Sequence, residues 1–229
     1  MGGVNSIFRG SEQVFSNGST NHFLFFDLDE EGRISKGSGE LPDLSWIETI
    51  GGYGFIRCFE NASGLTGQVS FNNLTTVGYA GLRCGFTGCK LLTSASFQKL
   101  QSIEKYGCAE CFQDCSGIVS CSFPQLTSVG DDGARSMFSR CTNLSGELNF
   151  SELVSISDGG LYGCFEMASK LSIVRFPKLA TIGRDGLFFC FFGCNETEIH
   201  FPATLSGNSE CTLEKLNPSG TGPAIFFDL

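Results

Sequence analysis

Phenylalanine returns every 26 or 27 residues along most of this chain, at Phe59, Phe86, Phe112, Phe138, Phe165 and Phe191. A fixed period in that range is the mark of a solenoid, because each unit can bury its apolar edge only against its neighbours. The architecture is therefore dictated before any single residue is weighed.

The units are Leu44 to Ser70, Phe71 to Ser96, Phe97 to Ser122, Phe123 to Asn149, Phe150 to Arg175 and Phe176 to His200, with a broken seventh from Phe201. Their first position holds Leu44, Phe71, Phe97, Phe123, Phe150, Phe176 and Phe201. The fourth is Ile47, Leu74, Leu100, Leu126, Leu153 and Leu179, and three residues on come Ile50, Val77, Ile103, Val129, Ile156 and Ile182. Apolar residues recurring once per coil stack into columns, and each buried side chain contributes roughly 1.5–3 kcal/mol. The eleventh place is always glycine (Gly54, Gly81, Gly107, Gly133, Gly160, Gly186), which suggests a tight corner that uses positive φ. The nineteenth is small, Ala62, Cys89, Cys115, Cys141, Ala168 and Cys194, as a crowded interior requires.

Alternation before each unit's first residue predicts a strand there. Val69, Ala95, Cys121, Leu148, Val174 and Ile199 then point inward. Two outward ladders follow, with rungs about 4.8 Å apart. One is Ser70, Ser96, Ser122, Asn149, Arg175 and His200; the other is Gln68, Ser94, Ser120, Glu147, Ile173 and Glu198. Their polar members are the candidate ligand-facing residues, weighed against a sheet face that is merely solvated. The change from serine to Glu, Arg and His toward the C-terminal coils favours binding.

The division is an N-terminal cap over 1–43, a solenoid over 44–205 and a C-terminal cap over 206–229. Capping is required because the first coil's apolar edge, Leu44 to Ile56, must be covered. Asp27 to Ser35 has the opening of a calcium loop, but its twelfth position is Ser38 where a bidentate Glu is needed. A hairpin that follows Phe23 to Phe26 and turns at Glu31-Gly32 is the favoured expectation. Ala224 to Leu229 is expected to add a strand at the far end, and Trp46 to pack in the first coil.

Composition narrows the function. A 41% hydrophobic chain of 229 residues suits one elongated domain. No run of about 18 apolar residues points to membrane insertion, and Met1 to Phe15 lacks the basic and apolar regions of a signal peptide. A net charge of −9, with fifteen scattered basic residues, argues against nucleic acid. Of the twelve cysteines, Cys58, Cys111, Cys164 and Cys190 share one repeat position and Cys89, Cys115, Cys141 and Cys194 another, so most read as reduced core thiols. Stacked neighbours such as Cys89, Cys115 and Cys141 also fall within disulfide range. With only His22 and His200, and one CxxC at Cys108 to Cys111, neither a metal site nor a cofactor is expected. Sequons begin at Asn17, Asn61, Asn73, Asn143, Asn149 and Asn195, most of them by-products of Asn-, Ser- and Thr-rich turns.

Catalytic signatures are missing. There is no G-x-S-x-G elbow, Walker or dinucleotide glycine pattern, or H-E-x-x-H. A dyad of His200 with Cys194 or Glu198 is disfavoured because Cys194 belongs to a core column. The expectation is a protein that is not an enzyme.

The units Phe123 to Asn149 and Phe176 to His200 resemble the BspA-like leucine-rich repeat: a Pro-containing strand exit, L-x-x-I-G, a short turn, F-x-x-C, then L-x-x-I. The likeness spans about residues 44–205. It departs from the family in two ways: units are about three residues longer between the Gly and the Phe, and Pro recurs only at Pro124, Pro177 and Pro202. What the resemblance implies is an α/β-type leucine-rich-repeat solenoid, right-handed, with a parallel β-sheet on one face, mostly irregular or short helical turns opposite, and six to seven coils. It also implies adhesion, with a protein or glycan of a host or cell surface as partner and an extracellular location. The closing residues are similar to the ends of phage tail-type proteins, which implies a virion or tail component, with oligomers possible. A structural spacer is the third alternative.

Overall fold

The computed structural model describes residues 4–9, 12–18, 23–24, 38–41, 44–218 and 222–228. At the N-terminus β1 (Val4–Arg9) and β2 (Glu12–Gly18) form an antiparallel hairpin, and β3 (Phe23–Leu24) pairs with β1 in parallel. The expected turn at Glu31-Gly32 and the Asp27 to Ser35 segment lie outside the described residues. The described hairpin is thus an earlier one.

From residue 38 the chain winds as a solenoid. Each coil has a longer strand just ahead of its first repeat position and a two-residue strand after the fourth. In chain order these are β4 (Ser38–Glu40), β5 (Thr49–Ile50), β6 (Gly64–Ser70), β7 (Thr76–Val77), β8 (Leu91–Ser96) and β9 (Ser102–Ile103). They continue as β10 (Ser120–Ser122), β11 (Ser128–Val129), β12 (Ser145–Asn149), β13 (Ser155–Ile156), β14 (Lys170–Arg175), β15 (Thr181–Ile182) and β16 (Glu198–Phe201). The short strands make one unbroken six-stranded parallel ladder from β5 to β15. Register follows the repeat, so Val69 pairs with Ala95, Ala95 with Cys121, Leu148 with Val174 and Val174 with Ile199. All six inward residues are buried.

Two phenylalanine spines run through the core. In one, Phe59, Phe86, Phe112, Phe138, Phe165 and Phe191 stack at centroid separations of 4.9, 5.3, 5.3, 5.9 and 5.7 Å. In the other, the first-position residues from Phe71 to Phe201 stack at 5.1–5.9 Å and end against Phe227. The spines meet edge to face, as at Phe97 and Phe112. Each such pair contributes about 0.5–1.5 kcal/mol beyond area burial.

Opposite the sheet the coils from 44 to 200 hold no helix among the described residues. The segments 53–62, 80–89, 106–115, 132–141, 159–168 and 185–194 are ribbons of consecutive turns. In the third, the amides of Tyr106, Cys108, Glu110, Phe112 and Asp114 donate to carbonyls of the next coil, while those of Gly107, Ala109, Cys111, Gln113 and Cys115 close turns within their own coil. All these backbone donors are therefore paired, as a buried backbone requires. Every fourth ribbon residue is left-handed, for example Tyr106, Glu110 and Asp114, then Asp132, Ser136 and Arg140.

The conserved spacing of the glycine column thus has a different cause from the expected one. Positive φ falls on the residue before it, at Tyr53, Ala80, Tyr106, Asp132, Gly159 and Asp185. A Cβ at Gly107, Gly133, Gly160 or Gly186 would lie 2.8–2.9 Å from a γ-carbon of the residue four before it, Ile103, Val129, Ile156 or Ile182. Close packing forbids a side chain there.

The C-terminal cap completes both faces. Helix α1 (Leu213–Leu216) offers the Lys215 and Leu216 carbonyls to the amides of Phe189 and Phe191, continuing the turn ribbon. Strand β17 (Ala224–Phe227) pairs with β16 in parallel.

Candidate binding face and its seam

The outward rows lie where alternation puts them. Gln68 pairs with Ser94 and Ser94 with Ser120, while Ser70 pairs with Ser96 and Ser96 with Ser122. Beyond the seam described below, Glu147, Ile173 and Glu198 share one row, and Asn149, Arg175 and His200 the other. The side chains of Gln68, Ser70, Ser94, Ser120, Ser122 and Asn149 have no hydrogen-bond partner among the described residues, and Ser96 Oγ accepts from Gln98 Nε2 at 2.7 Å.

His200 does not face solvent. It is only 8% exposed, because β17 lays the Phe226 ring over its imidazole at 4.8 Å and an interplanar angle of 15°. Its Nδ1 lies 2.9 Å from Asp228 Oδ1, and its Nε2 3.5 Å from Glu198 Oε2. His200 is thereby corrected from a ligand-facing residue to a cap contact, while Glu198 on the same rung stays exposed. Charge on the neighbouring rungs is also engaged internally: Arg175 Nε donates to Glu147 Oε1 at 2.9 Å.

The sheet itself is not continuous. Its longer strands form two blocks of four, β4-β6-β8-β10 and β12-β14-β16-β17. The amides of Phe71, Phe97, Phe150 and Phe176 each donate to the last strand carbonyl of the next coil, but none joins Phe123 to Asn149. The turn ribbon behind remains intact here, with Ala134 donating to Gly160 and Phe138 to Cys164, both at 2.8 Å. The coils are thus hinged at the back and parted at the front.

A cleft of about 280 Å³ occupies the parting, lined by Cys121, Ser122, Phe123 and Pro124 on one lip and by Glu147 to Ser151 on the other. It is closed above by Ser145, whose amide donates to Val119 O at 3.2 Å, and below by Ser151 Oγ, which donates to Pro124 O at 3.2 Å. The floor responds to the opening: Phe123 and Phe150 are 5% and 4% exposed where Phe71, Phe97, Phe176 and Phe201 are fully buried. The parting coincides with the change of the inward column from Ala95 and Cys121 to Leu148.

A second concavity, about 360 Å³, lies at the far corner among Lys105, Asp131, Asp132, Arg135, Asp158 and Arg184. Its charges are matched in ion pairs, Lys105 with Asp131, Arg135 with Asp132 and Arg184 with Asp158, at 3.6, 3.1 and 3.7 Å.

The twelve cysteines are free, eleven of them buried. They are more than fillers: the thiols of Cys89, Cys115, Cys141 and Cys194 donate to the Phe59, Phe86, Phe112 and Phe165 carbonyls at 2.9–3.1 Å. Burial pushes the Cys89, Cys141 and Cys194 thiols up to about 12 and raises those of Cys108 and Cys111 as well. At neutral pH they are protonated and poorly nucleophilic. No group of three or more His, Cys, Asp or Glu that could hold a metal ion occurs among the described residues. Two sequon amides are structural: Asn73 Nδ2 donates to Ser45 O and Asn143 Nδ2 to Ser116 O, both at 2.8 Å.

Parallel rungs, a leucine or isoleucine at the fourth position of every coil and a strand ahead of each first position define a leucine-rich-repeat solenoid with very little helix. Among solved structures, the chain is similar to a leucine-rich repeat protein of T. pallidum (TpLRR), at 17% identity over 89% of this chain and 82% of that one, with a TM-score of 0.44. It is also similar to a leucine-rich repeat protein from Bacteroides ovatus, at 15% identity over 81% and 76%, with a TM-score of 0.22. No family model matches the chain, and no curated protein does. The class stands on the coil geometry.

Proposed function

We propose that this protein is a non-enzymatic binding module of the BspA-like type, which presents its sheet face to a protein or glycan on a host or cell surface and works outside the cell. One observation carries the reading. Five outward hydroxyl and amide side chains, Gln68, Ser70, Ser94, Ser120 and Ser122, stand in two registered rows with no partner among the described residues. A face that serves only for solubility has no need of such register, whereas a macromolecular ligand gains from polar groups held on rigid strands.

The test is a screen of the full chain against immobilised glycans and extracellular-matrix proteins. Binding is expected to at least one, and to weaken severalfold in a variant combining Gln68→Ala, Ser94→Ala and Ser120→Ala. Binding unaffected by changes on any outward row would sink the proposal.

A further inference from the structure

We propose that the seam between β10 and β12 is a site for one neutral pyranose residue, a proposal that rests on the binding-module reading and names the ligand class for part of that face. The cleft offers both donors and acceptors. On one lip are the Ser122 hydroxyl and the Phe123 amide, which, unlike the Phe97 amide, makes no hydrogen bond to a carbonyl of the next coil. On the other lip Glu147 and Asn149 stand two residues apart on one strand, both exposed, so their carboxylate and carboxamide project from the same face.

The charge and shape of the cleft select among ligands. The net charge of −9 opposes an anion. A cation finds the carboxylate already neutralised by Arg175 at 2.9 Å. An apolar ligand would leave these polar groups desolvated and unpaired. Vicinal hydroxyls, each donor and acceptor at once, match a carboxylate beside a carboxamide and also satisfy an amide and a serine. The slightly opened edges of Phe123 and Phe150 supply an apolar floor for the C–H face of a sugar ring. The volume of about 280 Å³ falls near the lower end of small-ligand sites, which begin at about 300 Å³.

Saturation-transfer NMR tests this, using the full chain with methyl glucoside, methyl mannoside and methyl galactoside, and methyl glucuronoside as the charged control. Transfer is expected from at least one neutral sugar, weaker from the glucuronoside. Glu147→Gln and Asn149→Ala should each weaken it about tenfold, the effect of losing one good hydrogen bond, while Lys90→Ala, an exposed change away from both the seam and the outward rows, leaves it unchanged. Both variants change exposed side chains, so unaltered melting curves are expected alongside. The inference fails if no neutral sugar gives transfer at tens of millimolar, or if transfer persists in Glu147→Gln. Loss only in variants of Gln68, Ser94 or Ser120 would overturn the seam and leave the binding face standing.

Discussion

Arg175 reaches back one rung to Glu147, its Nε 2.9 Å from the Oε1 of the carboxylate across the paired strands β12 and β14. That contact ties down the carboxylate of a residue that lines the seam.

Removing the clamp should therefore separate binding from stability. In Arg175→Ala the thermal midpoint is expected to move little, because solvent-exposed ion pairs are worth about 0–1 kcal/mol. Ligand affinity measured by titration should fall, since Glu147 is then free to rotate. A large loss of stability with affinity retained would contradict this.

The stacked spine is where stability concentrates. Phe138 is fully buried, stacks on Phe112 and Phe165 at 5.3 and 5.9 Å, and meets Phe123 edge to face. Phe138→Ala should destabilise by about 3–5 kcal/mol, read as a drop in the urea midpoint. Loss should spread to both neighbouring coils, because each coil packs only on the next.

Gly107 distinguishes packing from backbone strain. Its φ is not in the left-handed region, yet an added Cβ would lie 2.9 Å from Ile103 Cγ2 and 3.0 Å from the Glu104 carbonyl oxygen. Gly107→Ala is expected to cost about 1–3 kcal/mol by overpacking, and to cost less in an Ile103→Ala background, where that γ-carbon is gone, so that the double variant recovers part of it. No recovery in the double variant would return the explanation to backbone geometry.

Alkaline pH should loosen the thiol column. Burial raises the Cys141 thiol from 9.0 to about 12, so the folded state holds its proton where the unfolded chain has lost it. The corresponding stability is fully present below pH 9 and declines between about 9 and 12. Denaturation midpoints should therefore fall on going from pH 8 to pH 10.5, and less so in Cys141→Ala. Thiol-reactive dye added at pH 8 should label the column only as fast as the protein opens.

Much of this was legible in the chain. The period, the columns and the two outward rows were readable because a solenoid places equivalent residues one rung apart, so that Ser94 pairs with Ser120 and Val174 with Ile199. The alternation also separated inward Val69 from outward Gln68 and Ser70. The burial of His200 was not legible: its row position is outward, and only the docking of β17 covers it with Phe226. Irregular turns opposite the sheet were expected, but their regular left-handed backbone was not legible, since residues as unlike as Tyr106, Glu110 and Asp114 share it. Their conformation is imposed by hydrogen bonds to the next coil, which no local preference encodes.

By itself, the sequence determined that equivalent residues stack, because a repeating apolar edge has no partner but its own next copy. Only the tertiary structure decided where that stacking fails. The front of the coil parts between Ser122 and Asn149 while the ribbon behind holds at Ala134 and Gly160. Whether two coils pair along their whole front depends on how all the side chains between them pack in one interior, which the place of Cys121 or Leu148 in the repeat does not fix.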